Sequence, residues 1–224
     1  MAAAPILLAP REAYRRWAPR YAEGNALTDI DAWAVERLGA PEPRASLDVG
    51  CGPGPGASGA RGFGVDLVFE MLAAGRPERA DARVAAADVL ALPFADASFD
   101  LVLCRLTIGY VADLARAYSE LARVASRGGS VVVTDFHPHA ARSGLVRSFK
   151  DGAGTLFAIA ATPHDPEAQA RAASDAGLDE AARLEVVVGP ELRPIFERRR
   201  TLPRYEEQLG NAVLLAFRFG KRAS

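Results

Sequence analysis

A doubly wound α/β fold is expected, with helices on both faces of a mostly parallel sheet and an antiparallel hairpin at its C-terminal edge. Three observations predict it. The apolar run Leu47-Asp48-Val49 ends in the glycine-dense turn Gly50-Cys51-Gly52-Pro53-Gly54. Two later apolar stretches end in acids, Gly64-Val65-Asp66 and Ala87-Asp88. From Ser46 to Thr134, strand-like and helix-like segments alternate, and alternation of this kind implies parallel strands joined by right-handed crossovers. Apolar strand, glycine turn and acidic strand ends together make a Rossmann-like arrangement suited to a nucleoside-bearing cofactor.

The elements follow in order. In Arg11 to Tyr21, Tyr14, Trp17 and Tyr21 are spaced to share one helical face, and Pro19 predicts a break before Tyr21. Thr28 to Leu38 reads as a helix. Thr28 and Asp31 resemble a capping box, Ile30, Trp33, Ala34 and Leu38 form an apolar stripe, and Gly39 stops it. Strands are expected at Ser46–Val49, Gly62–Asp66, Arg83–Ala87 and Phe99–Cys104, the last buried on both faces. A short helix spans Val68–Ala74. A longer one, Asp113–Ala125, carries Leu114, Ala117, Tyr118, Leu121 and Val124 on one side and ends at Arg127-Gly128-Gly129 before a fifth strand, Ser130–Thr134. Phe136 to His164 lacks clean periodicity. Asp165-Pro166-Glu167 opens a helix that ends at Gly177. Leu184–Val188 and Ala212–Phe219 read as the edge hairpin, joined by an excursion over Pro190 to Leu209.

The chain has 224 residues, half of them hydrophobic and a quarter charged, with a net charge of −1. This composition fits one globular domain: an N-terminal helical lid over 1–40, a cofactor-binding core over 45–136, and substrate-side segments with the final strands over 137–224. The near-neutral charge argues against a nucleic-acid or anionic-membrane partner. No stretch reads as a signal peptide or a membrane span. The two cysteines, Cys51 and Cys104, lack metal-like spacing, so a cytoplasmic location with reduced thiols and no metal is expected. A monomer or homodimer is expected.

The glycine turn admits three readings. A Walker phosphate loop needs a lysine that is absent. A dinucleotide fingerprint counted from Gly50 puts Pro55 at the last glycine. Counted from Gly54, it leaves only six residues between Gly59 and Asp66 for a helix and a strand. The third reading is S-adenosylmethionine (SAM). LDVGCGPG at 47–54, GVDLVFEML at 64–72, ADVLALPFADASFDLVLC at 87–104 and LARVASRGGSVVVTDFHP at 121–138 occur in order with near-normal spacing. In these motifs the chain resembles the class I SAM-dependent methyltransferases, in their small-molecule, type 11-like branch.

That resemblance implies methyl transfer from SAM to a small-molecule acceptor at oxygen, nitrogen or carbon, with S-adenosylhomocysteine (SAH) as product. It implies that Asp48 attracts the cofactor's ammonium and that Gly50, Cys51, Gly52, Pro53 and Gly54 bring backbone to its methionine part. Asp66 would accept from the ribose hydroxyls. Asp88, Val89 and Leu90 would hold the adenine, with Leu67 packed on the ring. Cys104 and Arg105 would line the methionine side, and Tyr14 and Tyr21 would close the lid. A base, where the acceptor needs one, is expected at His137 and then His139, just past the fifth strand.

The chain departs from the family in three places. Pro55 to Arg61 leaves room for about one helical turn where the family fits a full helix. The proline often found before the paired glycines is missing. Thr107-Ile108-Gly109-Tyr110 lacks the histidine often seen there. A non-catalytic SAM-binding protein is therefore the alternative, and a nicotinamide-dependent oxidoreductase the more distant one.

Overall fold

The computed structural model describes residues 4–21, 25–54, 61–75 and 83–223. In chain order the elements are β1 (Ile6–Leu8), α1 (Pro10–Tyr21), α2 (Ala26–Arg37), β2 (Ala45–Val49), β3 (Arg61–Asp66), α3 (Phe69–Ala73), β4 (Arg83–Ala86) and β5 (Phe99–Arg105). There follow a 3-10 turn (Ile108–Tyr110), α4 (Leu114–Val124), β6 (Ala125–Phe136), α5 (Pro138–Arg142), β7 (Ser148–Lys150), β8 (Leu156–Ile159), α6 (Pro166–Asp175) and β9 (Leu178–Val187). After a second 3-10 turn come α7 (Arg193–Arg198), α8 (Leu202–Gln208) and β10 (Ala212–Lys221).

The main sheet runs β4-β3-β2-β5-β6-β10-β9. The first five strands are parallel, and β10 is antiparallel to both β6 and β9, which makes the edge hairpin. Alternate residues feed opposite faces, as the period of two requires. Val102 and Cys104 of β5 join Val131 and Val133 of β6 under α4, whereas Leu101, Leu103 and Val132 face α2 and α7. Phe217 and Phe219 of β10 are fully buried on the α4 side. Each such phenylalanine contributes about 1.5–3 kcal/mol by leaving water.

Several expectations are corrected. α1 continues through Pro19 to Tyr21. The proline is exposed in the last turn, and Arg15, whose carbonyl would have bonded its missing N–H, is exposed one turn earlier, so water can take that carbonyl. The cap of α2 is Asn25 rather than Thr28. Asn25 Oδ1 accepts from Thr28 N at 3.1 Å, and the Thr28 hydroxyl reciprocates at Asn25 N at 3.2 Å. Asp31, expected to help cap, is instead buried.

Arg127 to Gly129 lie within β6, which follows α4 directly. They form a bulge there, since Phe99 pairs with Ala125 but Leu101 with Ser130. β9 begins six residues before its expected start at Leu184. The stretch Phe136–His164, without periodicity in sequence, supplies α5 and two strands of a separate small sheet, β1-β8-β7, which packs on α1. The short segment after the glycine turn falls largely at 55–60, outside the described residues. β2 ends at Val49 and β3 begins at Arg61.

Candidate active site

A cavity of about 590 Å³ opens at the C-terminal ends of β2, β3 and β5, with α1 and α2 on its other side. That volume suits a small-molecule ligand. β2 lies between β3 and β5, so the cavity sits where the strand order reverses, the usual ligand position in open parallel sheets.

The turn after β2 forms its floor. Gly50 and Gly52 have φ of +75° and +59°, a conformation that disfavours side chains. A Cβ on Gly50 would collide with the Thr107 side chain. The Gly50 and Cys51 amides both donate to the Val65 carbonyl, at 2.8 and 3.0 Å, which fixes the turn to β3. Asp66, at the end of β3, accepts from Gly52 N at 2.9 Å and from Val68 N at 2.8 Å. Burial pushes its carboxyl above the usual range, and those two amides oppose the shift. Asp88 accepts from Leu90 N at 2.9 Å, which turns the chain after β4. Asp48 is buried at the floor.

The exit of β5 is braced from behind. Arg105 pairs with buried Asp31 through Nη2 at 2.5 Å and Nε at 2.8 Å. The Thr134 hydroxyl donates to the other Asp31 oxygen and accepts from Leu106 N at 3.1 Å. Burial works against the Arg105 charge, but Asp31 and then Asp48 outweigh it, and the guanidinium pKa is raised. Leu106 has φ of +50°, a strained conformation that persists only because its amide is held on β6.

The facing wall is aromatic. Tyr14, Trp17 and Tyr21 lie together along α1, with ring centroids 4.9–6.0 Å apart. Tyr110 meets Tyr14 edge-on at 5.6 Å, and the Tyr14 hydroxyl donates to that of Tyr110 at 3.1 Å. The Arg147 guanidinium sits 5.6 Å from the Tyr14 and Trp17 rings. It donates to the Tyr21 hydroxyl at 3.0 Å and to that of Tyr110 at 3.5 Å.

Of the residues expected at the cofactor, all but Pro53 and Cys104 line the cavity. Pro53 turns its carbonyl toward Gly75. Cys104 is fully buried in the core beneath α4, where burial pushes its thiol pKa up. Its alternation in β5 points it into the sheet face, away from the strand end.

Neither histidine lines the cavity. His137 caps α5 by accepting from His139 N at 3.1 Å, and its Nε2 lies 3.5 Å from Glu185 on β9. Burial lowers its pKa. His139 is exposed. Asp135, just before them, instead enters a buried network. It accepts from Phe136 N at 2.8 Å and from Gln169 Nε2 at 3.3 Å, and Gln169 accepts from the Tyr118 hydroxyl at 2.9 Å. These side chains do not converge on a metal position, and no cluster of three or more metal-ligating residues occurs among the described residues. Sequence reasoning missed Thr28, Asp31 and Tyr110. Tyr110 alone had a usable signal, since it closes the loop after β5.

No helix among the described residues is long and apolar enough to cross a membrane. A family model described as a methyltransferase domain matches residues 47–133. A malonyl-[acyl-carrier protein] O-methyltransferase of Pseudescherichia vulneris is 39% identical over 105 residues, 45% of this chain and 42% of the relative. A demethylmenaquinone methyltransferase of Renibacterium salmoninarum is 36% identical over 110 residues, 46% of each. The chain thus spans about half the length of the curated relatives it matches. The crystal structure of a SAM-dependent methyltransferase from Mesorhizobium loti superposes with a TM-score of 0.66 at 21% identity, covering 89% of this chain and 99% of that one, a likeness of fold. Strand order, glycine turn and matched residues agree: residues 47–133 match a methyltransferase domain, set in the fold that a solved SAM-dependent methyltransferase shares.

Proposed function

We propose that the protein transfers a methyl group from SAM to a small-molecule acceptor. The observation that carries this reading is Asp66. It is a buried carboxylate at the end of β3, tied down by two backbone amides, facing a cavity whose floor is glycine backbone. Asp66 retains lone pairs for two ribose hydroxyls. Asp88 and the Val89 amide suit an adenine edge, and half-exposed Leu67 suits its face. Asp48 and Arg105, of opposite charge at one end of the cavity, suit an ammonium and a carboxylate. A phosphate-bearing cofactor fits this acidic cavity poorly.

SAM, when bound, supplies an activated methyl on a sulfonium. The chain's own residues then have to orient, shield and exclude water. α1 supplies a lid of aromatic rings, and the Arg105–Asp31–Thr134 brace holds the β5 exit in place. Neither His137 nor His139 lines the cavity, which supports transfer without either of them as a base. The relatives' names, a malonyl-[acyl-carrier protein] O-methyltransferase and a demethylmenaquinone methyltransferase, support a metabolite acceptor over a nucleic acid.

Incubation of the full chain with methyl-labelled SAM and fractionated small-molecule extract tests the reading. Label should leave SAM for a low-molecular-weight product. Tight SAH binding with no transfer to any fraction would leave a SAM-binding protein instead.

A further inference from the structure

The Arg147 guanidinium is enclosed, and no carboxylate among the described residues forms a salt bridge with it. Its Nε has no hydrogen-bond partner among the described residues. Its Nη1 and Nη2 each donate to a neutral hydroxyl, those of Tyr110 and Tyr21. A phenol that accepts from a cation still has its own proton to donate. Neither Tyr21 nor Tyr110 donates to an acceptor among the described residues, and both line the cavity. The result is two O–H donors in the cavity wall, backed by a positive charge that forms no salt bridge among the described residues and has only the buried Asp135 carboxyl acting on it.

We infer that Arg147, Tyr21 and Tyr110 form the recognition site for an anionic oxygen group, a carboxylate or its equivalent, on the methyl acceptor. This deepens the SAM reading and rests on it. Hydrogen bonds to charged groups contribute more than neutral ones, and an unpaired buried cation is costly to leave unmatched. An anion therefore gains here what water cannot supply. Tyr110 follows β5 and Arg147 follows β6, whereas Asp66 and Asp88 follow β3 and β4, so the cationic wall and the nucleoside wall lie on opposite sides of the switch point. The cofactor also carries a carboxylate, but Arg105 beside Asp48 already offers it a partner. The site assigned to Arg147 is the acceptor's.

The test is calorimetric and uses the full chain. SAH-saturated protein is titrated with benzoate and succinate, and with benzamide and succinamide as neutral matches. At least one anion should bind tenfold or more tightly than its amide, and Arg147→Gln should abolish that preference while changing SAH affinity less than threefold. If Arg147→Gln does not fold, Tyr110→Phe and Tyr21→Phe replace it and should each weaken the anion severalfold. SAH is also compared with its decarboxylated analogue. If Arg147→Gln removes the discrimination between those two, the site belongs to the cofactor and the inference is overturned. It is overturned equally if neither anion binds or if anions and amides bind alike. Failure of SAH itself to bind wild-type protein would remove the methyltransferase reading and this inference with it.

Discussion

The two walls of the cavity are built by different means. The nucleoside wall comes from strand ends. Asp48, Gly50, Asp66 and Asp88 each sit at or just past the end of a strand, and parallel pairing brings them into one row. The aromatic wall comes from distant segments. Tyr21 meets Arg147 across 126 residues, and Tyr14 meets Tyr110 across 96. The first wall is set by local pattern and sheet topology, and the second by packing of α1 and the small sheet. The first therefore follows from general rules for binding at strand ends, while the second is free to vary with the acceptor.

Breaking the support shared by both walls should have the largest effect. Arg105→Gln leaves Asp31, 2% exposed, as an unpaired buried acid. Loss of one partner of such a pair costs about 3–5 kcal/mol. Urea unfolding should show that loss, and Asp31→Asn combined with Arg105→Gln should recover a substantial part. Equal stability of the single variant and wild type would mean that the brace is not formed.

Within the nucleoside wall, Asp66→Ala should weaken SAH about a hundredfold by titration, from two hydrogen bonds of roughly 1.5 kcal/mol each. Unchanged affinity would detach the glycine turn from the cofactor.

Behind the aromatic wall, burial pushes the Asp135 carboxyl up to about 7, opposed by hydrogen bonds from Phe136, Gly109 and Gln169. Its folded pKa therefore lies above its unfolded one. The folded protein holds an extra proton between about pH 4 and 7, and stability falls as pH rises through that window. Between pH 5 and 7, wild type should lose on the order of 2 kcal/mol relative to Asp135→Asn. Parallel pH profiles of the two proteins would show instead that Asp135 stays ionised throughout.

The smallest effect belongs to the histidines. His139→Gln, on an exposed residue outside the cavity, should change SAH affinity and methyl transfer less than twofold. A tenfold fall in transfer would restore the base that sequence suggested.

The same contrast explains what was legible in the sequence. Glycine turns, acidic strand ends and alternating strands are local signals, so the main sheet and the nucleoside wall could be read directly. β1, β7 and β8 span only three or four residues each, too short for alternation to register, and they pair only through tertiary packing. Arg147 lies in that stretch beside Arg142 and Lys150, and the sequence offers the three only as a group of basic residues able to hold an acidic or phenolate substrate. The cap of α2 was misplaced because Asp31, read as part of it, serves a partner 74 residues away. Pro19 misled because a proline breaks a helix only where its missing hydrogen bond cannot be replaced.

Thermal unfolding of the full chain with SAH and, separately, with NADH tests the central claim most directly. The acidic cavity predicts that SAH raises the midpoint and NADH does not. Stabilisation by NADH with none by SAH would contradict the account.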